Sequence, residues 1–259
     1  WNYGSGRIEV INEGSISILG DEGYGIMVDN QPEEWTSSAT DISITANSVT
    51  AGKYGIYAMN DGSGITSINV DTVQQNKQSG SNFGNSSGIF VNNGSSSKEV
   101  KITVKNLTST NNGIEILNTG KEYTSITTNG FITSGGHGII TEGQHTNIFV
   151  FASSTVIGGT EGIETGAGDD FITISGSVSG NNGTAILSSD GNDRIFLDKA
   201  AVINGVISGG SGSDHAVYFN TSKSEVTSFT YNEVNNTVVI EANNKSTTFK
   251  DFEFFQFSD

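Results

Sequence analysis

"YGIMVDN" (24–30), "YGIYAMN" (54–60), "SGIFVNN" (87–93), "NGIEILN" (112–118) and "HGIITEG" (137–143) are copies of one short unit. More degenerate copies follow as "EGIETGAG" (161–168), "TAILSSDG" (184–191) and "VISGGSG" (206–212). Their anchor residues are Ile26, Ile56, Ile89, Ile114, Ile139, Ile163, Ile186 and Ile207, separated by 30, 33, 25, 25, 24, 23 and 21 positions. Self-similarity at a nearly fixed period marks a solenoid, in which no repeat buries its apolar face alone and stacked neighbours share one core.

Two further apolar series share the period. One runs Ile18, Ile44, Ile68, Ile102, Ile126, Ile148, Ile172, Ile195 and Val217; the other runs Val49, Val73, Leu107, Phe131, Val156, Val178 and Val202. Long gaps mark insertions at "QPEEWTSS" (31–38) and "QQNKQSGSNFGN" (74–85). Stretches such as "DISIT", "VKITV" and "FITIS" alternate with the two-residue period of a half-buried strand. Gly, Asn, Asp and Ser punctuate the joins, where the chain must turn sharply. The expected fold is all-β: a right-handed parallel β-helix with three strands per coil of about 23 residues, equivalent residues stacking about 4.8 Å apart.

The final forty residues differ in character. Seven of the 14 Phe are Phe219, Phe229, Phe249, Phe252, Phe254, Phe255 and Phe257. An open solenoid end exposes unpaired backbone and core, so a cap is required. The sequence therefore divides into a β-helix over 1–218 and a C-terminal β cap over 219–259, with "VTSFTY", "NTVVIEA" and "TTFKDFEFFQF" read as three strands.

Composition limits the partners. The chain has 259 residues, 34 Gly, a single Pro and a formal charge of −16. That charge disfavours nucleic acid and anionic membrane surfaces, and no apolar run is long enough for a membrane-spanning helix. Without cysteine there are no disulfides and no thiolate chemistry. The excess of acids fits either solubility or a load of cations.

Three turns align without gaps: "TGAGDDFI" (165–172), "SSDGNDRI" (188–195) and "GGSGSDHA" (209–216). They place Asp170, Asp193 and Asp214 in one column, with Gly168, Gly191 and Gly212 two residues earlier and Asp169 and Asp190 adding charge nearby. Carboxylates about 5 Å apart repel by about 3 kcal/mol at an effective dielectric near 20. A calcium ion, which takes six to eight oxygens, would turn that repulsion into a cross-link between coils. The competing reading has the aspartates hydrated and capping turn amides.

The third turn matches the first six positions of the nonapeptide G-G-x-G-x-D-x-U-x. It resembles the calcium repeats of the repeats-in-toxin (hemolysin-type) family, as does the closing "FEFFQFSD". The "nGI-x-V-x-N" units also resemble the parallel β-helices of secreted carbohydrate-active enzymes and bacterial surface proteins across residues 15–217. The resemblances imply bound Ca2+, a secreted or cell-surface location in bacteria, and adhesin or passenger-type function with a carbohydrate or host-surface receptor and further domains in a longer parent protein.

Enzymatic constellations are weaker. "GGHGI" (135–139) echoes a polygalacturonase motif around His137, but that family's aspartate pair precedes the histidine and its Arg-x-Lys element is missing here. Arg194 sits beside Asp193, where a lyase base would be sought. Asp214 and His215 are adjacent on a strand and face opposite ways, against a nucleophile triad. Glu161 and Glu164 lack an identifiable acid–base counterpart. The alternative to a non-enzymatic segment is a polysaccharide lyase, hydrolase or epimerase. Trp35, Tyr54, Tyr57 and Phe83 are its candidate sugar contacts.

Overall fold

The structure, a computed structural model, describes residues 6–18, 20–31, 39–76, 86–120, 122–143 and 145–259. Its strands stack in parallel, each pairing with its equivalents one coil before and one coil after. The chain is a parallel β-helix.

The first strand of successive coils is Tyr24–Asn30, Tyr54–Asn60, Ser87–Asn93, Asn112–Asn118, Ile139–Glu142 and Ile163–Glu164, continued by the ends of Ser177–Leu187 and Val202–Ser208. Its anchor ladder is unbroken: Ile26, Ile56, Ile89, Ile114, Ile139, Ile163, Ile186 and Ile207 pair in sequence, and Phe249 closes the row. Stacked β-branched side chains interdigitate on a pleated surface at little cost in rotamer freedom.

The other two ladders correct the sequence reading at their ends and at one bend. The second row is Val10, Ile44, Ile68, Ile102, Ile126, Ile148, Ile172, Ile195 and Ala216. Ile18 lies outside it, 39% exposed, and Val217 pairs with Phe196 instead. The third row is Ile16, Val49, Val73, Leu107, Ile132, Val156, Val178 and Ile203, so Phe131 and Val202 face outward. Two apolar neighbours occur at 131–132, 202–203 and 216–217, and side chains alternate faces, so periodicity alone selected the wrong one of each pair. An irregularity between Val104 and Asn106 shifts the register before Phe131.

The end of the chain adds four strands rather than three, because "TTFKDFEFFQF" breaks after Lys250. Val226–Asn232, Thr237–Ala242 and Lys245–Lys250 pair antiparallel in turn. Lys245–Lys250 also pairs parallel with Val202–Ser208, and Phe254–Gln256 with His215–Tyr218. The end segment thus continues two rows of the solenoid. Phe249 and Phe252 are buried against its open core, with ring centroids 5.3 Å apart.

The corrected parity has a measurable consequence. Ile132→Ala empties a fully buried position and is expected to cost about 2–5 kcal/mol. Phe131→Ser, at a site 46% exposed, is expected to cost less than about 1 kcal/mol. Urea unfolding of both variants checks the assignment, and the reverse order would refute it.

Candidate functional site

One corner of the helix, between the first and second strands, changes its chemistry along the axis. In the N-terminal coils it holds a buried asparagine ladder. Asn30 Nδ2 donates to Asn60 Oδ1 (3.0 Å), Asn60 Nδ2 to Thr66 Oγ1 (3.0 Å), and Thr66 Oγ1 to Asn93 Oδ1 (2.9 Å). Asn93 Nδ2 donates to Asn118 Oδ1 (3.0 Å), and Asn118 Nδ2 to Thr124 Oγ1 (3.1 Å). A carboxamide carries both donor and acceptor, so such a ladder satisfies itself.

The second strand's opening position runs Thr66, Val100, Thr124 and Thr146 through these coils. It then becomes Asp170, Asp193 and Asp214, each at most 1% exposed. The three carboxylates point inward, on the same face as Ile172, Ile195 and Ala216. Each Oδ1 accepts the main-chain amide of the residue one coil earlier: Thr146 N to Asp170 (2.6 Å), Asp170 N to Asp193 (2.9 Å), Asp193 N to Asp214 (2.9 Å). The end segment supplies a fourth rung, since Asp214 N donates to Glu253 Oε2 (2.7 Å). Sequence reasoning missed Glu253, whose only signal was its place two residues after "KD" in the closing motif.

The other oxygens are the chemically informative ones. Oδ2 of Asp170, of Asp193 and of Asp214 is buried with no hydrogen-bond partner among the described residues. Thr165 and Ser188 lie beside the column, close enough for their hydroxyls to favour the charged forms of Asp170 and Asp193; in the structure those hydroxyls donate to the carbonyls of Ser188 (3.2 Å) and of Gly209 (3.0 Å). Burying a carboxylate charge with only part of its hydrogen bonds made is costly, and a proton or a cation would offset that cost. Burial foremost pushes Asp170 up to about 8 and Asp193 up to about 6, against the hydrogen bonds each accepts and with a smaller contribution from the neighbouring aspartate; burial also raises Asp214.

The donors are of the kind calcium takes: all are oxygens, three of them buried carboxylate oxygens without partners, and calcium is bound through oxygen. No three of these carboxylates come within reach of a single ion; among the described residues only His137, Glu161 and Glu164 do. Gly209 leaves room next to the column: a Cβ there would meet Asp214 Oδ2 at 2.4 Å. Gly168, Gly191 and Gly212 hold φ of 113°, 147° and 145°, and a Cβ on Gly212 would lie 1.6 Å from the Gly191 carbonyl oxygen. They let the turns stack closely. Asp169 and Asp190 are exposed, outside the column. Asp169 Oδ1 accepts the Asn192 amide (2.8 Å), which lowers its pKa.

A second group gathers on the outer face of the first strands. Asn112, His137 and Glu161 occupy equivalent places on successive coils, as shown by Gly113 N bonding to His137 O and Gly138 N to Glu161 O. Glu115, Ile140 and Glu164 form the neighbouring row. His137 Nδ1 lies 3.2 Å from Glu161 Oε2 and 3.1 Å from Glu164 Oε2. Towards the N-terminal end the same two rows carry Tyr24, Tyr54, Tyr57 and Phe90, with Tyr57 and Phe90 stacked at 5.0 Å. Tyr54 is buried in this cluster and Tyr57 half-buried. Trp35 and Phe83 lie outside the described residues. Sequence reasoning treats His137, Glu161 and Glu164 one by one, although the anchor ladder through Ile114, Ile139 and Ile163 already implies that they are neighbours.

Arg194 is exposed on the outer face of the second strands, in register between Phe171 and His215. His215 stacks on Phe254 at 4.5 Å and faces away from buried Asp214. No known family, curated protein or solved structure matches the chain.

The raised carboxyl pKa values fix the sign of a pH effect. Between about pH 4, the ordinary carboxylate value, and pH 8, folded chains without metal hold more protons than unfolded ones. Stability contributed by the column is full below that window and is lost as pH rises through it. Metal-free protein is expected to melt at least about 5 °C higher at pH 5 than at pH 8. A variant carrying Asp170→Asn, Asp193→Asn and Asp214→Asn should show a much flatter profile, read by thermal melts in chelator.

Proposed function

We propose that this chain is a non-enzymatic, calcium-stabilised β-helix segment of a bacterial secreted or cell-surface protein of the adhesin or passenger type. The observation carrying this reading is the column of inward aspartates, each with one oxygen bonded to the preceding coil and one buried without a partner. Asp170, Asp193 and Asp214 would hold the ion or ions, and calcium would supply the positive charge that the ladder lacks. The chain's own contribution is to fix the carboxylates at one coil spacing and to keep water from Oδ2. The acidic composition agrees with a cation-binding role, and a chain without cysteine needs no disulfides in any compartment.

Ligand binding to the folded state alone raises the melting temperature with ligand concentration. At pH 8, millimolar calcium is expected to raise the midpoint progressively, and magnesium much less, since it demands octahedral geometry and dehydrates reluctantly. The triple Asp→Asn variant is expected to melt above the wild type in chelator and to ignore calcium, because asparagine keeps an oxygen for the main-chain amides and carries no charge to bury. A wild-type midpoint indifferent to calcium would remove the proposal.

A second reading, a polysaccharide-acting enzyme, is favoured by one observation: the aromatic cluster around Tyr57 lies beside Glu115, His137, Glu161 and Glu164 on a single face. Aromatic faces stack on sugar rings, and paired carboxylates serve acid–base chemistry. Incubation with acidic and neutral polysaccharides tests it. Release of reducing or unsaturated ends, lost on Glu161→Gln, would establish this reading over the structural one; no release from any substrate would end it.

A further inference from the structure

The outer group of His137, Glu161 and Glu164 has the composition and spacing of a cation site different in kind from the aspartate column. One nitrogen and two carboxylate oxygens, one from each residue, lie within 4.8 Å of one another. The Nδ1 contacts of 3.2 and 3.1 Å match the edge of a tetrahedron, about 3.3 Å when ligand bonds are about 2.0–2.1 Å. Nδ1 is itself buried; its contact with Glu164 foremost, and the charges of both glutamates, raise the His137 pKa, so without a cation the group rests as an ion pair. The imidazole nitrogen thus faces one oxygen of each glutamate at once, which places three donors within reach of a single ion.

The surroundings hold the ligands in place. Asn182 Nδ2, from the following coil, bonds the other oxygen of Glu161. The His137 amide donates to Asn112 Oδ1 (3.1 Å), while Asn112 Nδ2 donates to Glu115 (3.1 Å) and Ser87 also bonds Glu115. A hydrogen bond to the far oxygen of a liganding carboxylate, such as that from Asn182, orients the ligand and strengthens binding. The residues come from two coils whose spacing is fixed by main-chain ladders, so the pocket is preformed.

We infer that His137, Glu161 and Glu164 form a binding site for a divalent transition cation of the zinc class, with at least one coordination position left to water. Mixed imidazole and carboxylate donors suit zinc and its neighbours, whereas calcium takes oxygen. Three protein ligands leave the open position typical of sites where zinc activates water. The inference is independent of the calcium proposal, since the residues and the ion differ.

Titration of the full chain with Zn2+ in millimolar calcium, followed by competition with a chromophoric chelator, tests it. One zinc per chain is expected at micromolar affinity or better. Glu164→Gln and His137→Gln should each weaken it by at least about 100-fold, while Glu122→Gln, at an exposed position, should leave it unchanged. Co2+ should give d–d absorption bands of a four- or five-coordinate site that vanish in His137→Gln. Circular dichroism on each variant separates lost binding from lost folding, and Glu164→Asp, which keeps the charge, should retain part of the affinity. The proposal falls if wild-type protein binds no zinc below about 100 μM. It also falls if binding survives His137→Gln, or if the imidazole and carboxylates form only a proton-dependent ion pair that zinc does not perturb.

Discussion

Every coil of this protein finds the hydrogen-bond partners of its backbone on the coils above and below it. That single constraint locks equivalent residues one strand spacing apart and stacks each side chain on its own counterpart. Isoleucine tolerates self-stacking because it gains dispersion and loses water. Asparagine tolerates it because a carboxamide can donate upward and accept downward. Aspartate cannot, because an ionised carboxylate only accepts. The run Asn30, Asn60, Asn93 and Asn118 and the run Asp170, Asp193 and Asp214 place the two chemistries at one corner of one solenoid.

The fold was legible because the anchor row repeats in a residue type that has one use. Ile26 through Ile207 pair as their spacing implies. The rows went astray at Phe131, Val202 and Val217, where two apolar residues adjoin and only the pleat decides which is inside. Spacing carries no information on that choice; burial does. The same blindness affected the aspartate turns. Their alignment was readable, but a column of like charges suggests a solvated surface, whereas Asp170 stands two residues from Ile172 and shares its inward face. The glycines at 168, 191 and 212 were read as part of a site, and their positive φ and close contacts give them a structural duty in stacking the turns.

The outer group was missed for a different reason. His137 lies 24 positions before Glu161 and 27 before Glu164 in the sequence, and only the register of the first strands brings them within contact. Once the ladder Ile114, Ile139 and Ile163 is fixed, the flanking residues follow without further freedom. Tyr57 and Phe90 are brought together in the same way. A solenoid thus converts sequence separations near its period into spatial neighbours, so a search at that period would have found the cluster.

The placement of the acidic ladder along the axis has its own logic. In a repeat protein, stability is close to a sum of repeat and interface contributions, so a defect confined to a few coils weakens those coils first. The asparagine-lined coils close without help. Burial raises the cost of charge on the aspartate-lined coils, and they lie against the end segment, whose Glu253 adds a fourth carboxylate to the column. Phe249 and Phe252 seal the apolar interior at that same end. Two kinds of closure therefore meet in the last coils: an apolar one through Phe249 and Phe252, and a polar one through carboxylates that accept main-chain amides from the coil before. On the proposed reading, it is this polar closure that would make the C-terminal coils answer to pH and cations.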